Sequence, residues 1–280
     1  MISRIFDHPF SILGAERCLV ATRVSVAITV AVWVIFGPFS AFYPEEEALL
    51  YQPSGLATLI PPLGHVSFVA LRLAVVAGCL GMCWRRTELV ATWLTAMAFA
   101  VLNGYVSGFS SIWNYNTHLN IFLVALSFSP ARSTTSQRSD EVRSSIVFFM
   151  RLQVAIIYLQ AGLAKLVLGG LNWPSRAPFI HLVLQGSWAS SWFTSYPQLI
   201  EMGGVLVIAI ELSLPVLLMC RRTRRAAALV AIGLHSVFFV TLGISFWHLW
   251  VLFPALFLLD SAQSRTHSGL ITQYATNRYD

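Results

Sequence analysis

Apolar runs long enough to cross a bilayer recur from near Arg17 to Asp260, separated by short polar or charged turns. A helix of about 17 to 25 apolar residues spans the ~30 Å hydrocarbon core. Lipid offers the backbone no hydrogen-bond partner, so each run must be helical. The chain is therefore expected to be an all-α, polytopic transmembrane helix bundle. Composition agrees: 11% of the residues are charged, against ~25% in ordinary globular chains, and the mean hydropathy is +0.70. A disordered chain and a water-soluble domain are both excluded. No stretch outside the runs is large enough for a second core, so residues 1–280 are expected to form a single transmembrane domain.

Eight spans are predicted, at about 17–39, 65–83, 88–107, 113–129, 144–168, 199–220, 226–243 and 246–260, the last two forming a tight hairpin broken at Gly243 and Ser245. Arginine orients them. One set of alternate segments holds Arg4, Arg17, Arg85, Arg86, Arg132, Arg138, Arg143, Arg221, Arg222, Arg224, Arg225, Arg265 and Arg278. The opposite set, with Glu45-Glu46-Glu47 and residues 169–198, holds only Arg176. By the positive-inside rule both termini are cytoplasmic, which suits a multi-pass protein of the cell membrane, the cytoplasmic membrane of a bacterium. The net charge of +6 thus reads as topology, and no nucleic-acid partner is expected. Membrane lipids are the partners the composition itself implies. The first run is too long for a signal-peptide core and no A-x-A-like site follows it, so it is expected to stay attached. Trp113, Trp173, Trp188, Trp192, Trp247 and Trp250 all map to the outer interface.

The outer interfacial segment 169–198 carries Pro174, Pro178 and Pro197, with Phe179, Leu182, Val183 and Gly186 at helical spacing. It reads equally as a lid lying flat on the membrane or as an interfacial loop. No internal repeat is evident. The four cysteines, Cys18, Cys79, Cys83 and Cys220, fall near cytoplasmic ends and are expected to be reduced thiols; small-residue packing suits Cys79 and Cys83 better than a metal or lipid site.

Ionisable side chains inside spans are costly and mark site candidates. Arg23, Arg72, His118, Arg151, Lys165, Glu211 and His235 qualify. Lys165 is the sole lysine beside seventeen arginines. Arginine holds its proton, whereas a desolvated lysine can serve as a base; the competing reading is a lysine snorkelling to the outer headgroups. Lys165 lies about three residues from the outer end of its span, ~5 Å deep, and His118 five residues into its own, about 7 to 8 Å, so the two can share a level. Arg151, Tyr158 and Lys165 are spaced by sevens and, with Gly162, form a polar stripe on one helix face. Trp113-Asn114-Tyr115-Asn116-Thr117-His118 is a polar helix start that suggests an outer vestibule, with Asn114 and His118 on one face, although such asparagines also serve interhelical bonding. Glu211, with Pro215 four residues on, is expected to pair with Arg72 or Arg151, and His235 to join that network. His65, His118, His181 and His248 lack metal-ligand spacing, and no phosphate loop or nucleophile elbow is present. No metal or nucleotide is indicated.

Four segments occur in order: Trp113-Asn114-Tyr115-Asn116-Thr117-His118; Tyr158-Leu159-Gln160-Ala161-Gly162-Leu163-Ala164-Lys165-Leu166 with Asn172-Trp173; Glu211-Leu212-Ser213-Leu214-Pro215; and Leu234-His235-Ser236-Val237-Phe238-Phe239. Over residues 17 to 260 the set resembles the horizontally transferred transmembrane (HTTM) domain, the membrane portion shared by vitamin K-dependent gamma-carboxylase and bacterial proteins of the sporulation-delaying-protein B type. The resemblance implies a reduced quinone as cofactor, Lys165 as the base that deprotonates it and His118 as its catalytic companion, with Asn114, Tyr158, Gly162, Arg151, Glu211, His235 and Trp173 lining or supporting the pocket. Ala164 stands where the carboxylase has a second lysine, and its large lumenal region has no counterpart here, so carboxylation of a folded protein does not carry over. A secreted peptide substrate and a small accessory protein are implied instead. The leading expectation is thus an enzyme-like membrane protein that matures a secreted peptide. A non-catalytic partner for peptide-toxin folding or export, and a small proton-coupled transporter, are the alternatives.

Overall fold

The structure is a computed structural model that describes residues 9–12, 14–37, 51–53, 58–109, 116–132, 134–170, 172–185, 192–193 and 195–259. Trp113, Asn114, Tyr115, Trp188, Gly186, the Glu45-Glu46-Glu47 run and the arginines of both termini lie outside them, as do the side chains of Phe179, Leu182 and Val183. The regular elements are α1 (Ala15–Phe36), α2 (His65–Met82), α3 (Glu88–Ser107), α4 (Thr117–Ser127), α5 (Gln137–Gly169), α6 (Trp173–Gln185), α7 (Pro197–Met219), α8 (Arg224–Leu242) and α9 (Trp247–Trp250), the last continued by a π-turn at Pro254–Leu258.

Six of these, α1, α2, α3, α5, α7 and α8, are long and apolar enough to cross a membrane. The other two expected spans are shorter. α4 has 11 residues, a rise of only ~16 Å, and the stretch Trp247–Leu258 is likewise short. α4 is capped by Asn116, and the polar run 113–115 before it lies outside the described residues. Gly243, at φ +63°, caps α8 in the left-handed region that glycine adopts freely, the helix resumes at Trp247, and Pro254 then opens a wide π-turn. Polarity is arranged for lipid: Val66, Leu80, Leu168 and Met202 are exposed, while Arg23, Glu88, Arg151, Glu211 and His235 are buried. The protein is a multi-pass helical membrane protein.

The chain divides into two compact units, residues 14–147 and residues 148–280 with 1–13, the boundary falling inside α5. In the first unit α1 packs on α2 and α4, and α3 packs on both α2 and α4. Small residues set the α2–α3 spacing: Gly78 faces the Thr95 hydroxyl, and a Cβ on Gly81 would come within 2.8 Å of the Ala91 methyl. In the second unit α7 packs on α6 and α8, and α8 on α6, α9 and the π-turn.

The two units carry the same helices in the same order, which the sequence analysis did not detect. Arg23-Val24-Ser25-Val26-Ala27-Ile28 of α1 matches Arg151-Leu152-Gln153-Val154-Ala155-Ile156 of α5. The α2–α3 turn, Trp84-Arg85-Arg86-Thr87, matches the α7–α8 turn, Cys220-Arg221-Arg222-Thr223. In both turns the threonine hydroxyl donates to a carbonyl six residues back, Thr87 to Gly81 and Thr223 to Leu217, each at 2.8 Å. His118-Leu119 and Ala125-Leu126 of α4 match His248-Leu249 and Ala255-Leu256. Burial follows the same registers: Cys18, Leu19, Arg23, Val26, Ala27, Val30 and Val34 are buried, and so are Ile146, Val147, Arg151, Val154, Ala155, Tyr158 and Gly162. The two units thus share a helix order, short motifs and burial registers, α1–α4 in the first copy of this arrangement and α5 with α7–α9 in the second, where α6 is inserted.

Candidate functional site in the second unit

α5 ends because Gly170 takes a left-handed conformation (φ +62°), its N–H donating to Leu166 O at 3.1 Å. The tight Gly169-Gly170 turn folds the chain back, and a Cβ on Gly169 would collide with Trp173. The Trp173 ring is thereby carried over Lys165, with Nζ 5.2 Å from its centroid, a cation–π contact. Trp173, expected at the outer interface, lines a cavity of the second unit.

Lys165 Nζ donates to both carboxylate oxygens of Glu211, at 2.7 and 2.6 Å. The expected pairing of Glu211 with Arg72 or Arg151 is therefore corrected. Gly162, one turn before Lys165, makes the approach possible, since a Cβ there would lie 2.8 Å from Leu212 Cδ2 and 3.3 Å from Glu211 Cβ. Lys165 lies four residues before Gly169, the last residue of α5, with its side chain one-fifth exposed and with Val167 and Leu168 beyond it exposed. Glu211 sits some fourteen residues, ~20 Å, inside α7 from Pro197, and α6 packs on the stretch of α7 between them, with Gly204 against Pro174.

Two turns nearer the middle of α5, the Tyr158 hydroxyl and His235 Nε2 are 2.7 Å apart. Phe246 and Phe238 stand around the imidazole, with centroids at 5.6 and 6.2 Å, and His235 Nδ1 is buried with no partner. Lys165, Glu211, Tyr158, His235 and Trp173 all line one cavity of about 670 Å³, whose remaining walls are mostly aliphatic and aromatic side chains of α5 to α8. His181 of α6, which the sequence offered only as a distant metal candidate, also lines it, with Nε2 3.0 Å from the Leu242 carbonyl at the end of α8.

Arg151 is fully buried in the same unit, but its Nε donates to Leu256 O at 2.8 Å and its guanidinium stands over Phe257. It ties α5 to the π-turn and is not part of the cavity lining. His118 belongs to the first unit, buried on α4 with its ring edge-on to Phe122, and the imidazole lining the lysine's cavity is His235. Asn114 lies outside the described residues.

Comparison of the two repeats separates scaffold from site. In the first copy the positions of Tyr158, Glu211 and His235 are held by Val30, Val75 and Phe99, each fully buried, and that of Lys165 by Gly37, the cap of α1. The same helical frame therefore packs without a single polar side chain at these places. Burying polar groups carries a desolvation cost of several kcal/mol, which the second unit meets by pairing Lys165 with Glu211 and Tyr158 with His235. The geometry defines an integral membrane protein with a polar cluster set into a large apolar cavity. No family model matches this chain, and neither does any curated protein or solved structure.

Proposed function

We propose that this is an enzyme-like protein of the cell membrane whose second unit binds a lipid-soluble, weakly acidic small molecule of the reduced-quinone type and takes its proton at the Lys165–Glu211 pair, in the service of maturing a secreted peptide. The observation that carries this is the convergence of four side chains, polar in one repeat only, on a 670 Å³ apolar cavity. Apolar walls with a few fixed polar groups are what a ring-bearing lipophilic ligand needs. Lys165 becomes a base once its proton has passed to Glu211. The neutral amine then accepts the ligand's hydroxyl proton, and the oxyanion faces the ammonium so formed. His235 Nδ1, buried without a partner, supplies a further hydrogen-bonding position.

Quinol-dependent oxygen consumption by the purified protein tests this. The wild type is expected to be active, with Lys165→Ala and Glu211→Gln each reduced by ~10²-fold or more, and Lys165→Arg equally impaired because a guanidinium keeps its proton. Equal rates in all four remove the base assignment.

The helix order shared by the two units favours a second reading. Carriers are built from parallel repeats with a site near mid-membrane, and a buried lysine–glutamate pair suits proton coupling. Substrate flux in proteoliposomes, driven by a pH gradient and abolished in Glu211→Gln, would decide for a carrier.

A further inference from the structure

The first unit has a polar cluster of its own, where Arg23, eight residues into α1, meets Glu88 at the start of α3 and Ser129 and Arg132 just beyond α4. Arg23 Nη1 donates to Glu88 Oε2 at 2.8 Å, and Arg23 Nη2 to the Ser129 hydroxyl. Arg132 stands on the same carboxylate, Nε to Oε2 at 2.7 Å, and its backbone N–H donates to Oε1 at 3.2 Å. The Arg23 and Glu88 side chains are each 2% exposed, whereas that of Arg132 is 22% exposed and opens the cluster to the outside.

Two guanidiniums thus share one carboxylate, and among the described residues the sum of the cluster is one surplus positive charge in a largely buried setting. Both Glu88 oxygens already accept hydrogen bonds. Arg23 Nε and Arg132 Nη2 are buried and donate to nothing. Buried donors and charges of this kind are costly unless an acceptor or counter-charge completes them. The repeat again separates scaffold from addition. The equivalent of Arg23 in the second copy, Arg151, has its Nε bonded to the Leu256 carbonyl, and the equivalents of Glu88 and Ser129 are Arg224 and Leu259. The common arginine belongs to the frame, while Glu88, Ser129 and Arg132 are peculiar to the first copy.

We infer that Arg23 and Arg132, oriented by Glu88 and Ser129, form a binding site for a singly charged phosphate group. A phosphodiester matches the surplus charge, and its oxygens suit forked guanidinium donors. The arginine distribution places the start of α3 and the end of α4 on the cytoplasmic side, at the level of lipid headgroups. The group can come from an anionic phospholipid or from free phosphate, and the experiment separates the two.

Thermal unfolding of the delipidated full-length protein in neutral detergent is followed with added phosphatidylglycerol, phosphatidylcholine or inorganic phosphate at matched ionic strength. Phosphatidylglycerol is expected to raise the midpoint of the wild type by about 3 °C or more, to do the same for Arg138→Gln, which removes an exposed charge of the first turn of α5, and to leave Arg132→Gln unmoved. An equal response to inorganic phosphate names free phosphate as the ligand; a response confined to phosphatidylglycerol names the lipid. Should Arg132→Gln fail to fold, Arg132→Lys takes its place, with a reduced response, and native mass spectrometry of the wild type is expected to retain one phosphatidylglycerol or phosphate per chain. No shift and no retained anion in the wild type, or a shift equal in wild type and the Arg132 variant, overturns the inference.

Discussion

Lys165 and Glu211 satisfy each other's charge, with the Glu211 side chain nearly enclosed and that of Lys165 one-fifth exposed. Removing one member leaves the other as an unpaired charge, at a cost of about 3 kcal/mol or more, while removing both is far milder. Lys165→Met and Glu211→Gln are therefore expected each to lower stability by that order and the double variant by less than their sum, as measured by a double-mutant cycle of denaturation in mixed micelles. Additive losses would show that the pair is not coupled. The sequence signals Lys165 by its solitude among arginines and Glu211 by its depth, but a separation of forty-six positions conceals that they are partners. His235 illustrates a further case: the sequence offers it only as a member of a buried network, and the packing of α8 against α6, α7 and the π-turn brings it to the cavity that Lys165 lines.

Helices α5 and α7 meet through glycine. At Gly162 the obstruction to a methyl group is the end of the Leu212 side chain, 2.8 Å away, which can turn aside. At Gly204, where α7 meets α6, it is the Pro174 backbone, with Cα at 2.7 Å, which cannot. Gly162→Ala is thus expected to cost about 1 kcal/mol and to be rescued by Leu212→Ala, whereas Gly204→Ala should cost about 2 kcal/mol or more, in the range of overpacked cores, with no side-chain rescue. Thermal midpoints of the single and double variants check the order; a Gly162→Ala loss larger than that of Gly204→Ala would contradict it. Helix existence, and most boundaries to within a few residues, follow from hydropathy, because lipid leaves the backbone one solution. The late start of α4 does not, since the polar run before it reads along the chain as part of its span.

The molecule as a whole carries one helix order twice, each copy with a different polar cluster. Replacing Tyr158, Lys165, Glu211 and His235 together by Val, Ala, Val and Phe, near the first copy's residues, is expected to give a folded protein with less stability lost than in Glu211→Val alone, because no charge is left unpaired; circular dichroism melts check this, and a quadruple variant that does not fold would show that the quartet is structural. Orientation can be read from cysteine chemistry. Cys83 and Cys220 are accessible and Cys18 and Cys79 buried, so an impermeant maleimide should label only the first two, and only when the cytoplasmic face is open. Hydrogen bonding from the Thr223 side chain, opposed by burial and aided by the Arg222 and Thr223 backbone and the Arg222 charge, holds the Cys220 thiol below its ordinary range. Its thiolate persists as pH falls, and its labelling rate should decline only at lower pH than that of an ordinary thiol.

The sequence by itself determined the helical class, the membrane setting, the arginine asymmetry and the identity of most candidate side chains, because each of these is written in local hydropathy and residue type. The tertiary structure decided which of them meet. The pairing of Lys165 with Glu211, the place of His235, the folding of Trp173 over the amine and the repeat itself all rest on registers between helices far apart in the chain. Two copies that share only a few short motifs, joined by loops of different length, look unrelated along the chain, and their correspondence emerges only when burial shows which faces turn inward.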